Sequence, residues 1–589
     1  ADNNTAVGYQ ALTANTTGGS NTAVGRKALA SNTTTDNSTG IGYQALENNT
    51  AGGQTAVGSN ALQAQTTGSE NTAVGYEALK VASGADVDYN TAIGSEALKD
   101  TTDGDRNTAC GWRALKSNTT GAKNVAIGIE SLYTATTADN NTAVGRRALH
   151  LSTTGTSLTA VGCNALYTNT TGSQNTAVGM QSLELNTTGL QNTAVGHFAL
   201  NANTTASYNS SLGYYSLASN TTGAYNTAVG HMALMSNTTA SNNTSVGYSA
   251  LKVNAGTNNT GVGYNTLVAN TTGAENTALG ASALGTNTTG ANNVAIGVNA
   301  LLSNTTGQYN NALGEFALDA NTTANHNTAM GYSALTTNTT GANNTALGSH
   351  AMNDATTGSA NVAIGYWALG DGTLTYGDNV AVGSHAGFSH IAQEAVFVGK
   401  HAGYNNTTGN QNTFIGYDSG KANTTGGVNT SLGAYALDAN TTASNNTAVG
   451  GSALGVNTTG ASNTACGKSA GGACTTASNC TFVGSSAGSN HTTGGTVVNI
   501  GAGTHGSAGD VSGTVVVGYN GADKGSNTSF LIPASGAYQG NNSSSWSTTS
   551  DRRIKKNIVS NTTGLDKINQ ITVRNFEYRT ENEIIEGSP

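Results

Sequence analysis

Apolar positions along this chain recur on a fixed beat, with single Val or Ile, Ala and Leu residues spaced among Asn, Thr and Gly. The anchor is Asn-Thr-Ala-Val-Gly. Its glycine appears thirty-one times, from Gly8, Gly25 and Gly42 through to Gly484, Gly501 and Gly518, nearly always 17 residues apart. The interval is 16 before Gly58, Gly263 and Gly399, 18 before Gly383 and 19 before Gly94. Residues 175–191, NTAVGMQSLELNTTGLQ, form one full copy. A period of this size is the mark of a stacked repeat, because a single copy has too few apolar residues to bury them alone.

Within a copy, Thr176, Ala177 and Val178 predict a short strand whose side chains alternate between two faces. Some copies replace Thr by Val and Val by Ile, as in Val125-Ala126-Ile127. This reading places the Thr and Val positions inward and the Ala outward, against a sister chain. Leu183 supplies a second inward anchor. Gly179 permits a tight bend or left-handed backbone. Asn186-Thr187-Thr188-Gly189 predicts a polar turn, with Asn and Gly suited to positive φ. Two glycines and a polar turn in 17 residues leave no room for a helical pair. The fold class is therefore all-β, a parallel β-solenoid of about 31 coils of 17 residues. Asn and Thr columns are expected to form ladders along it. Stacking at about 4.8 Å per coil makes a rod of roughly 150 Å.

One Leu, one Val and a half-polar Thr make a thin core. Burying a Leu or Val contributes roughly 1.5–3 kcal/mol, whereas ordering each backbone residue costs roughly 1–2 kcal/mol. Association along the rod, as a homotrimer, is the expected remedy.

Composition narrows the functional classes. Only 9% of the 589 residues are charged, two are proline, 79 are glycine, and the formal net charge is -9. The repeats hold no basic patch interleaved with aromatics, which argues against a nucleic-acid role. No run of 18 apolar residues exists, so no membrane insertion is expected. The ten His lack metal spacing, Asp is too sparse for calcium-binding repeats, and no repeated carboxylate pair suggests a glycosidase. No cofactor or metal is expected. Asn-Thr-Thr is a glycosylation acceptor by pattern, but its period marks a turn. Cys110 and Cys466 stand where Val usually does and read as buried small hydrophobes; Cys474 and Cys480 are close enough in sequence to pair. Tyr often follows the repeat glycine, as at Tyr9, Tyr43, Tyr248 and Tyr264, and Arg26, His197, His231 and Lys468 share that slot. The slot reads as solvent-facing, its rings packing along the fibre or holding sugars.

Three parts are expected: a repeat shaft at 1–497, terminal coils with a β-rich connector and linker at 498–549, and a separate module at 550–589. From Asp551 onward the chain carries seven Lys/Arg and six Asp/Glu, with Ile554, Ile558, Leu565, Ile568 and Ile571 spaced for an amphipathic or mixed element. The repeat is already running at Asn4, so an upstream part is expected.

Asn124-Val125-Ala126-Ile127-Gly128 resembles the motif repeated in the heads of YadA-type trimeric adhesins, over roughly residues 3–520. That resemblance implies a left-handed β-roll assembled as a trimer, although the 17-residue period here is longer than that family's usual coil. The N-T-A-V-G-Y-Q-A-L arrays also resemble those of phage and marine bacterial tail-fibre proteins. Ser550-Asp551-Arg552-Arg553-Ile554-Lys555 resembles the start of the C-terminal intramolecular chaperone of endosialidases and other phage tail spikes, as do Leu565-Asp566-Lys567-Ile568 and Phe576-Glu577-Tyr578. The resemblance implies a domain that folds the trimer and then cuts itself off. Ser550 would be the nucleophile, Lys555 the base and Asp551 a supporting residue, with cleavage between Thr549 and Ser550. Residues 550–589 are expected to be only the N-terminal part of such a domain. The function implied is a trimeric viral tail-fibre shaft, extracellular and mediating attachment to a host receptor such as a glycan. The alternatives are a bacterial surface adhesin or secreted filament, and an ice-binding solenoid. An external-substrate enzyme is not expected.

Overall fold

The computed structural model describes residues 2–82, 84, 87–531, 537–539 and 547–548. Thirty-one three-residue strands, β1 (Thr5–Val7) to β31 (Val515–Val517), stack in one parallel sheet, and no helix occurs among the described residues. Register is kept by the repeat itself: Thr176, Ala177 and Val178 lie opposite Thr193, Ala194 and Val195 one coil on. With strands about 4.8 Å apart, the stack is a rod of roughly 150 Å.

Coil-to-coil backbone bonds run all around the cross-section. Thr176 N donates to Asn192 O at 2.8 Å, Leu183 N to Ala199 O at 2.9 Å, Thr187 N to Thr204 O at 2.8 Å, and Gln191 N back to Ser173 O at 3.1 Å. This explains why strands of three residues suffice: the turns are laddered as well.

The faces of the strand are the reverse of the sequence expectation. Ala177 is fully buried, as are its equivalents Ala160, Ala194 and Ala228, whereas Thr176 and Val178 look out and are only half-buried. The coil is so narrow that its strand face admits one small side chain per copy. The interior holds Ala177, Ser182 and Leu183, with the side chains of Asn175 and Asn186 also fully buried.

The two amides per coil form two columns. In the first, Asn175 Oδ1 accepts from Asn192 N at 2.8 Å, and Asn175 Nδ2 donates to Gly189 O at 2.7 Å, tying strand to turn. In the second, Asn186 Nδ2 donates to Asn169 Oδ1 at 2.8 Å and to Gly189 O at 3.1 Å. A buried amide left unpaired would cost about 1–3 kcal/mol, and amides of adjacent coils supply partners where the repeat is unbroken. Outside, Thr187 Oγ1 donates to Thr204 O at 3.0 Å and continues the pattern on the surface.

The turn does not use positive φ at Asn186 or Gly189. Left-handed backbone falls instead at Gln181, Leu183 and Gln191, with φ of 56°, 52° and 54°. Gly179 has φ 131°, and a Cβ there would lie 2.5 Å from Gly196 O in the next coil, so close stacking excludes any side chain. A left-handed leucine costs roughly 1–2 kcal/mol. It is held because the bend carries its side chain into the centre of the coil.

Three coils partition that interior differently. Phe397, Phe414 and Phe482 occupy the Ala slot, and glycines replace the leucines beside them. A Cβ on Gly387 or Gly403 would come within 2.5 Å of the Phe397 ring; Gly420 is so placed against Phe414, and Gly488 against Phe482. Each large ring therefore uses the volume that leucine vacates in its own coil and, for Phe397 and Phe482, the preceding coil too.

The parallel stack continues past residue 497. Val515–Val517 pairs with β32 (Ser529–Leu531) after only 14 residues. β32 then pairs antiparallel with β33 (Ala537–Gln539), which pairs antiparallel with β34 (Ser547–Thr548).

Candidate functional site

The outward Thr and Val positions make two adjacent columns along the strand face. Large apolar side chains recur there, among them Ile127 (41% exposed), Leu212 (50%), Leu279 (47%), Leu347 (43%) and Leu432 (47%). Single exposed apolar residues are ordinary, but an apolar stripe repeated along a whole rod is the mark of an interaction surface. Cys110 and Cys466 lie on this stripe, half-buried and exposed respectively, and not in the core as their Val-like position suggested. Reversing the strand faces moved them out.

The slot after the repeat glycine does face solvent. His197, Tyr214, His231, Tyr248 and Tyr264 stack in sequence with ring centroids 5.5, 5.1, 5.1 and 5.5 Å apart. Arg26 bridges Tyr9 and Tyr43 at 6.0 and 5.7 Å from their ring centroids. The coil spacing itself enforces this, since identical slots must sit about 4.8 Å apart. On the neighbouring slots Lys80 and Lys99 pair with Glu77 at 2.7 and 2.5 Å and hold its carboxyl down at about 2.

Two histidines and two cysteines are among the residues that interrupt the buried amide columns. His390 replaces the turn Asn; its Nε2 donates to Asn379 Oδ1 at 3.1 Å and its Nδ1 accepts from Asn406 Nδ2 at 2.6 Å. These partners suit the neutral ring, and burial pushes its pKa down to about 4. His491 takes the same slot and burial lowers it too. Cys474 in the turn column and Cys480 in the strand column of the following coil are buried free thiols, and burial pushes Cys474 up to about 12.

Near residues 376–410 the turn face carries a long arc directly beside a short one. Strand Asn344 and Asn412 each reach a turn carbonyl 14 residues on, Gly358 O at 2.8 Å and Gly426 O at 2.7 Å. Asn361 instead reaches Tyr376 O, 15 residues on at 3.3 Å, and Asn379 reaches Ala392 O, 13 residues on at 2.9 Å. One turn is thus a residue long and the next a residue short. The overhang and recess leave a groove of about 530 Å³ lined by Tyr376, Ile391, Ala392, Gln393, Thr408 and Asn410. Sequence reasoning noted the unequal intervals before Gly383 and Gly399 but drew no site from them. A long interval followed directly by a short one was the available signal.

Ser550, Asp551 and Lys555 lie outside the described residues. Residues 550–588 match the model of the family described as the chaperone of endosialidase, Peptidase_S74. The match begins at Ser550. No curated protein and no solved structure matches the chain. A β-solenoid rod followed by a segment of this chaperone type fits the tail-fibre and endosialidase class of protein.

Proposed function

We propose that the chain is the shaft of a homotrimeric, virion-borne tail fibre that carries attachment to a host surface, assembled with the help of its C-terminal chaperone and then released from it. The observation that carries this reading is the chaperone match over residues 550–588, directly behind a rod of laddered coils. The unpartnered Thr/Val stripe supports it independently. Three parallel copies, each presenting this stripe to a common axis, would cover its exposed Val, Ile and Leu side chains. A tail fibre needs reach and stiffness, and the laddered rod supplies both without a folded active site.

For release, Ser550 Oγ attacks the carbonyl carbon of Thr549 while Lys555, as a neutral amine, takes the hydroxyl proton. A serine hydroxyl is a poor nucleophile without such a base, and a lysine serves once burial lowers its pKa. The C–N bond breaks, the Ser550 nitrogen receives the proton, and water hydrolyses the resulting ester. The products are a carboxylate at Thr549 and a fragment beginning with Ser550. In this reading Asp551 has a supporting role.

The test is expression of the full-length gene product beside its Ser550→Ala variant, read on a denaturing gel with N-terminal sequencing of any small fragment. The expected result is a shortened shaft and a fragment starting at Ser550 in the wild type only. Equal sizes for the two proteins would overturn the cleavage reading.

A further inference from the structure

We infer that the groove at Tyr376 is a binding site for a neutral saccharide. The inference deepens the attachment reading above and rests on it for its biological purpose. The groove arises where the turn arc is one residue long in one coil and one short in the next, shown by the 15- and 13-residue reaches of Asn361 and Asn379. Its volume of about 530 Å³ lies within the range of small-ligand sites. Its lining residues belong to the turn arc and none is a position of the Thr/Val stripe.

The lining defines the ligand class. Tyr376, 56% exposed, contributes its aromatic side chain to the lining. Ile391 and Ala392, both half-buried, add apolar lining, and Gln393, Thr408 and Asn410 supply two amides and a hydroxyl. An aromatic face against the C–H face of a pyranose, with amides able to donate to and accept from its hydroxyls, is a combination suited to sugars and poorly suited to purely apolar ligands. No cationic side chain lines the groove. Beside the lining residue Gln393 lies the Glu394 carboxylate, which accepts from Gln393 Nε2 at 3.3 Å and Gln411 Nε2 at 2.8 Å, and Asp378 follows Tyr376 by two residues. An acidic sugar would meet a like charge there, so the site selects uncharged rings.

The test is saturation-transfer NMR on the full chain with maltose, lactose, chitotriose and 3′-sialyllactose as probes. Transfer to at least one neutral probe is expected, with affinity falling at least tenfold in Tyr376→Ala and kept in Tyr376→Phe. Sialyllactose is expected to bind no better than lactose. Because Tyr376 contributes its side chain to the surface, the thermal unfolding of the variants should match the parent. The proposal is overturned if no neutral probe shows transfer, if Tyr376→Ala binds as the parent does, or if sialyllactose binds best. Oligomeric mass and Ser550 processing are read separately, so failure of the site and failure of the fibre reading are distinguishable.

Discussion

The coil of residues 175–191 and the coil around Phe397 enclose the same interior in opposite ways. In the first, a small Ala177 on the strand faces a large Leu183 at the bend, both fully buried. In the second, a large Phe397 on the strand faces Gly403 at the bend and Gly387 in the coil before. The backbone is unchanged: Leu183 has φ 52° and Gly403 φ 61°. The cross-section is therefore a fixed volume set by backbone laddering, and side chains divide it between two slots. The exchange also relieves strain, since glycine adopts left-handed φ without the penalty leucine carries.

The comparison can be broken from either side. Phe397→Ala should have the largest effect, because two glycines beside it cannot fill the hole, and removal of a buried Phe costs about 3–5 kcal/mol. Ala177→Phe alone should cost about 1–3 kcal/mol by overpacking against Leu183 and the preceding Leu166. Adding Leu166→Gly and Leu183→Gly should restore much of that loss. In a repeat stack each copy contacts mainly its neighbours, so hydrogen exchange should localise both effects to the altered coils. Uniform exchange along the rod, or no rescue by the paired glycines, would contradict the fixed-volume account.

A smaller effect distinguishes the coil holding His390 from coils that carry Asn in the same turn slot, such as that of Asn186. Its folded pKa is lowered to about 4 from 6.5, so the unfolded chain binds the proton more readily between those values. Stability is intact above about 6.5 and falls as pH drops toward 4. His390→Asn restores the amide of the repeat and should remove this loss. The check is local hydrogen exchange or proteolysis at neutral pH and at about pH 4. An unaltered acid response in His390→Asn would refute the assignment.

Period, strand position, inward Leu and the amide and Thr ladders were legible in the sequence, because a repeat puts identical residues over one another. The facing of Thr-Ala-Val was not. Replacement of Thr by Val and of Val by Ile suggested a core, yet these residues enrich an outer stripe. The better signal was volume exchange: Phe397, Phe414 and Phe482 each stand six residues before a glycine where Leu is usual, at Gly403, Gly420 and Gly488. Such pairing is expected only of side chains sharing one cavity. The positive φ of Leu183 had no residue signature, since tertiary packing overrides its local preference. The groove at Tyr376 depends on two unequal coils in succession, and neither interval alone reveals it.

The central claim is that the outward Thr/Val stripe joins copies of this chain into a fibre. Light scattering on the folded full-length chain tests it most directly. The account predicts a mass three times that of one chain, falling when charges are placed along the stripe, as by Ile127→Lys with Leu212→Lys and Leu279→Lys. A stable, fully folded species with the mass of a single chain would contradict it.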